Sequence, residues 1–473
     1  MARKLTPIFA VLALATLLIS SCGTPDRAAQ QPAAPAAAAA TVPPAPIAAA
    51  PQTAPQAARL PADQLYIHDN DGSGAGRLAI LNAVSGERER DLPLGVASPD
   101  WSTLYTVEST VANDHAKTHI QALDLKTGRP VRETTIDGAY VLPTVSVDGM
   151  PGGLSPNGLW LVLREAPGQH VGRWQSQFAV LDTGFKQPPR RVDLDVDGPY
   201  QFDGINNGGD ALYLIQYLTS SQPATYQVRY YNLALGALDS QVVVAKGEDQ
   251  VMAGTHHTSI AAPNGAWRYS LYMNNQYGPF IHALGLDDHI AICIDLPKTG
   301  KDDEEKQLSW SMALSKDRTR LYAVNGALGL VSDLRINGGV PEVMRTATLA
   351  APTASTSPLS GLAALFAAPV AEAKPEHGLP VGEAVVSPDG KTLFALGARG
   401  LLVIDTSDLT LRGRYLPDMM LSSVALSADG ARLYTVSAEQ SKIIQLDPAT
   451  GATLAEISGA RQPSGVLRVE TQK

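Results

Sequence analysis

The chain has 473 residues, 44% apolar, 6% aromatic and 18% charged, and its 37 basic and 46 acidic side chains give a formal charge of −9. That length suits two or three average domains or one large repeat architecture. A mild acidic balance without a Lys/Arg block excludes a nucleic-acid partner, whose phosphates need a dense basic face.

At the amino terminus Arg3 and Lys4 precede an apolar run from Leu5 to Ile19, too short and too early for a spanning helix, so residues 1–21 read as an export signal. The run ends in Leu18-Ile19-Ser20-Ser21-Cys22-Gly23, which resembles the bacterial lipoprotein lipobox. The resemblance implies a lipidated Cys22 as the mature amino terminus and a location in the cell envelope, on the outer face of the cytoplasmic membrane or on the outer membrane. With Cys22 modified, Cys293 is the remaining cysteine and no disulfide framework is possible. Residues 22–62 are mostly Ala and Pro, a composition with little to bury that favours an extended stalk.

From residue 63 to 473 an internal repeat organises the sequence. A small residue, a variable one, Asp/Asn/Gly and a turn residue lead to an apolar residue usually followed by an aromatic. The repeat runs Ser98-Pro99-Asp100 to Leu104-Tyr105, Ser155-Pro156-Asn157 to Leu161-Val162, and Asn206-Asn207-Gly208 to Leu212-Tyr213. It continues with Ala262-Pro263-Asn264 to Arg268-Tyr269, Ser315-Lys316-Asp317 to Leu321-Tyr322, Ser387-Pro388-Asp389 to Leu393-Phe394, and Ser427-Ala428-Asp429 to Leu433-Tyr434. Each marks a hairpin, and second turns such as Asp124 to Gly128 and Asp447 to Gly451 close another strand pair in most units. An Ala/Pro-rich stretch at 350–380 interrupts the repeat as an insertion. Units of about 50 residues holding four antiparallel strands predict an all-β fold, a single β-propeller.

The chain starts with strands at Gln64–Ile67, Arg77–Leu81 and Glu87–Leu94 that lack a first member, and ends with a strand at Gly465–Val469 that lacks followers. Joining the ends predicts eight blades, with seven as the alternative. Leu321-Tyr322-Ala323-Val324-Asn325 and Leu433-Tyr434-Thr435-Val436-Ser437 are similar to the YVTN-type and WD40-like bacterial propellers. That likeness implies the fold over roughly residues 64 to 470 and leaves function open, because such propellers host binding, scaffolding and enzymatic roles.

The familiar catalytic motifs are missing: no Gly-x-Ser-x-Gly, no His-Glu-x-x-His, no phosphate loop and no CxxC. Asp69 to Gly74 opens like a calcium loop, but Ile80 stands where the bidentate Glu belongs. Cys293, between Ile292 and Ile294, reads as a small hydrophobe in a strand. The variable loops, Glu108–Ala116 among them, fall on the face opposite the short Asp-Gly turns, and that face is the expected binding surface. His256 and His257 on a blade-to-blade connection, Asn275 and Tyr277 on the next loop, and Trp310 on the following connection are the candidate ligand-binding residues, with His282, Asp287, Asp288 and His289 in reserve. No catalytic residue, metal or cofactor is expected. The function this implies is a lipid-anchored, non-catalytic binding or assembly module for a protein, peptide or glycan. The alternative is an envelope enzyme resembling propeller lactonases or quinoprotein-dehydrogenase subunits.

Overall fold

The computed structural model describes residues 62–471 apart from 71–75, 113–114, 147–148, 168–175, 195–198, 220–223, 244–251, 263, 275–277, 299–303, 350–382 and 438. The signal segment, Cys22, the stalk and the 350–380 insertion lie outside the described residues. Those described form eight antiparallel sheets of four successive strands, one of them extended by the two-residue strand Met252–Ala253 and one closed by the last strand of the chain, together with one four-residue helix, Glu304–Gln307. Blades 1 to 7 open with the inner strands Val96–Ala97, Tyr140–Val141, Tyr200–Ile205, Thr255–Ala261, Trp310–Leu314, Ala384–Val386 and Ser423–Leu426. Blade 8 is made from both ends of the chain. Its inner strand is Pro463–Thr471, which pairs with Asp63–Asn70, followed by Gly76–Asn82 and Arg88–Pro93.

The repeat has a local cause. In the turn of blade 1, Ser98 Oγ donates to Asp100 Oδ1 at 2.6 Å and accepts the Thr103 N–H at 3.0 Å, while the same carboxylate oxygen accepts the Ser102 N–H at 3.1 Å. Ser315 with Asp317, Ser387 with Asp389 and Ser427 with Asp429 repeat this geometry. The side chains thus satisfy backbone donors that a tight turn leaves unpaired.

The two residues after each turn hold the ring together. Successive side chains on a strand point to opposite faces, so the Leu of each pair packs on the preceding blade and the aromatic on the next. Leu104 lies in the apolar cluster between blades 8 and 1 and Tyr105 in that between 1 and 2. Leu433 lies between blades 6 and 7 and Tyr434 between 7 and 8. Eight such clusters fill the eight seams. Several tyrosines also anchor their hydroxyl on the next blade, Tyr213 on the Leu286 carbonyl at 2.7 Å and Tyr269 on the Gly339 carbonyl at 2.8 Å.

The closing seam carries charge. Asp63 is buried and accepts hydrogen bonds from Tyr434 at 2.6 Å, Arg432 Nη2 at 2.8 Å and Thr471 at 2.8 Å, with Arg432 Nε a further 2.6 Å contact. At the other end of the same strand Asp69 accepts the backbone N–H groups of Arg461 and Gln462 and pairs with Arg88. Asp69 is thereby a strap on the C-terminal segment. One expected loop is absent as such: Glu108–Ala116 continues a long hairpin in which Ala112 pairs with His115.

Candidate functional site

The inner strands surround a channel with a cavity of about 560 Å³. Its wall includes His68 and Ser464 from blade 8, His257 and Ser259 from blade 4, Ser422 before blade 7 and Glu383 before blade 6. His68 Nδ1 lies 3.0 Å from Ser464 Oγ, and that hydroxyl is 3.2 Å from the His68 carbonyl. If the hydroxyl donates to the carbonyl, it accepts Nδ1–H, and the imidazole keeps its lone pair on Nε2. Gly76 leaves room for this ring: a Cβ there would stand 2.5 Å from His68 Nε2 and would force the imidazole to shift.

His256 and His257 sit on the inner strand of blade 4 and not on a connection. The register between that strand and its neighbour shifts between His256 and Thr258, so His257 is the extra residue of a bulge. The bulge sends His257 to the channel wall and His256 into the seam with blade 3. There His256 Nε2 is 2.7 Å from Ser259 Oγ, which is 2.8 Å from Ser270 Oγ. Burial, helped by the charge of Arg268, pushes the His256 imidazole down to about 3. A base that weak cannot take a proton from a hydroxyl near neutral pH, so His256 holds Ser259 in place.

Blade 4 departs from the apolar pattern along one row. Strand pairing sets Ser259 opposite Ser270, Ser270 opposite His282, and His282 opposite Cys293, a polar line across the blade from channel to rim. The line faces blade 3, where Asp203 is itself the bulged residue of the inner strand. Asp203 is 2% exposed, and burial raises its carboxyl to about 6 against the opposing pull of Arg268. His282 is fully buried and pushed down to about 4 by that burial.

The other expected positions resolve differently. Trp310 is 0% exposed, packs with Leu271, Ile281 and Met312 between blades 4 and 5, and donates its Nε1–H to Gln307 Oε1 at 3.0 Å. The expectation that Trp310 lies on a blade-to-blade connection is corrected: it opens an inner strand, and its ring fills a seam. Asn275 and Tyr277 lie outside the described residues. Asp287, Asp288 and His289 belong to the short-turn side, where His289, at φ 55°, stacks on Tyr230 at 4.1 Å. Sequence reasoning missed His68, Asp203 and Ser464. The signal available for the blade 3–4 seam was Arg268, which occupies the position that other repeats give to Leu.

The fold defines an eight-bladed β-propeller. No family model matches the chain, and no curated protein matches it either. Solved structures do align. Apo AztD from Citrobacter koseri is 13% identical, covering 87% of this chain and 98% of that one at a TM-score of 0.48. The dihydro-heme d1 dehydrogenase NirN is 14% identical, covering 86% and 74% at 0.49. The periplasmic gluconolactonase PpgL from Pseudomonas aeruginosa is 14% identical, covering 85% and 97% at 0.39. These likenesses show the fold alone. The expectation of a non-catalytic module is corrected, because it rested on missing motifs, and the absence of familiar motifs does not exclude catalysis on a propeller fold.

Proposed function

We propose that the protein is an envelope hydrolase that opens small uncharged lactones or esters in its channel. The observation that carries this reading is the His68–Ser464 pair, 3.0 Å apart on the wall of a cavity large enough for a sugar-sized ligand. Ser464 holds the ring and its tautomer, and His68 takes a proton from an attacking water. Water adds to the carbonyl carbon, the ring C–O bond breaks, and the imidazolium returns its proton to the leaving alkoxide. Among the described residues of the cavity wall there is no Lys or Arg, and Glu383 is acidic, so a phosphorylated substrate finds no counter-charge.

The envelope location rests on Arg3, Lys4, the apolar run and the Ser20-Ser21-Cys22-Gly23 sequence, which support a lipid on Cys22, and on the Ala/Pro composition of the stalk. The repeat residues Leu321-Tyr322 and Leu433-Tyr434 support a place among YVTN-type propellers. The test is acid release from a panel of neutral γ- and δ-lactones by the purified full chain. Turnover that falls by about 10²- to 10⁴-fold in His68→Gln is expected. No turnover across the panel, or full turnover in His68→Gln, overturns the reading.

A further inference from the structure

We infer that Met252, His282 and Cys293 form a binding site for a soft monovalent metal ion, copper(I), in the rim half of the seam between blades 3 and 4. His282 and Cys293 are directly opposed on neighbouring strands of blade 4, which brings Cys293 Sγ to 3.8 Å from His282 Nδ1. Met252 belongs to the two-residue strand Met252–Ala253, fixed by its pairing with Tyr226 of blade 3, and its Sδ lies 3.4 Å from the same thiol. Three donors around one ion in a trigonal plane are separated by about 1.7 bond lengths. Metal–sulfur bonds of about 2.3 Å and metal–nitrogen bonds of about 2.0 Å therefore require separations of about 3.5 to 4 Å. The thiol's two contacts match that spacing with little movement.

A second observation points to a ligand. His282 is fully buried, and its other nitrogen, Nε2, has no hydrogen-bond partner; it faces Asp203 Oδ2 at 4.0 Å, an oxygen that also lacks one. Carboxylate behind the distal nitrogen of a ligating imidazole is the arrangement that fixes ring orientation at metal sites. Counting His, Cys, Asp and Glu alone, the described residues hold no group of three that suits a metal. Here the third donor is a thioether, and that selects the metal. Thiolate with thioether and imidazole suits copper(I), whereas zinc takes four N, S or O donors without thioether. Charge agrees: one thiolate cancels one monovalent cation, so a neutral unit is buried. Cys293 keeps partial exposure at the outer strand, which gives the ion a way in.

The experiment is an anaerobic titration of the reduced full chain with copper(I) against a chromogenic copper(I) chelator. One equivalent withheld from the chelator is expected, retained in Cys22→Ser and weakened by at least about 100-fold in Cys293→Ser. Asp203→Asn is expected to weaken it about 10- to 100-fold, through ring orientation. Melting temperatures check each variant's fold, and near-isosteric Met252→Leu, expected to weaken binding at least about tenfold, decides the matter if Cys293→Ser does not fold. Failure of the full chain to compete, retention in both Cys293→Ser and Met252→Leu, loss in Cys22→Ser, or equally tight zinc binding overturns the assignment. None of these outcomes depends on lactone turnover.

Discussion

Replacing Asp63 by Ala removes the acceptor at the centre of the ring's seam. Its carboxylate side chain is 0% exposed and Arg432 is 6% exposed, so the loss leaves a buried guanidinium whose nearest carboxylate is the half-exposed Asp429 at 3.7 Å. Deleting one partner of a buried ion pair costs about 3–5 kcal/mol. Tyr434 and Thr471 also lose their acceptor, and an unsatisfied buried hydroxyl adds about 1 kcal/mol or more. We expect Asp63→Ala to lower stability by about 4 kcal/mol or more, read as the shift of the urea midpoint multiplied by the slope. Because most of this is a buried charge that has lost its main partner, the double variant Asp63→Leu, Arg432→Met should be more stable than Asp63→Ala. A loss below about 1 kcal/mol, or a double variant no better than the single, refutes the argument that the seam is held by this pair.

The turn aspartates Asp100, Asp317, Asp389 and Asp429 are all held below the ordinary 3.8, foremost by the Ser hydroxyl beside each. A depressed carboxyl contributes stability above the unfolded value and loses it as pH falls through the folded one, so Ser427→Ala should move the acid-unfolding midpoint to higher pH; an unchanged or lower midpoint counts against the turn mechanism. Trp310→Ala should cost about 3–5 kcal/mol as a core cavity while leaving lactone KM unchanged, whereas a binding role would raise KM in a stably folded variant. Cys22→Ser should abolish palmitate labelling and leave the melting temperature of the propeller as it was; wild-type protein that takes up no label rejects the anchor.

The blade number and the seam were legible because their causes are local or strictly periodic. Ser98, Asp100 and Thr103 settle their turn within six residues, and the Leu-Tyr pair that follows announces two seams through simple alternation. The candidate site was not legible in that way. Two single-residue bulges, at His257 and Asp203, decide which side chain enters the channel and which enters the seam, and alternation counted along the sequence gives the opposite parity beyond each. Ser259, Ser270, His282 and Cys293 are spaced 11, 12 and 11 residues apart, and only strand register lines them up. Trp310 was misplaced because a large aromatic after a polar loop reads as a surface anchor, while here it is the first residue of an inner strand.

Blade 8 sets the timing of folding. Asp63 and Thr471, separated by 408 residues, must meet before the ring exists. A chain synthesised from its amino terminus delivers three strands of that blade first and the fourth last, so Asp63–Asn70 waits with an unpaired edge while seven blades assemble. Until Pro463–Thr471 arrives, Arg432 faces water and the apolar cluster of Leu65, Ile67 and Val466 is open. The slow and aggregation-exposed interval in the life of this protein is therefore the vectorial delay between its two ends, and its length is set by how fast the last nine-residue strand is released.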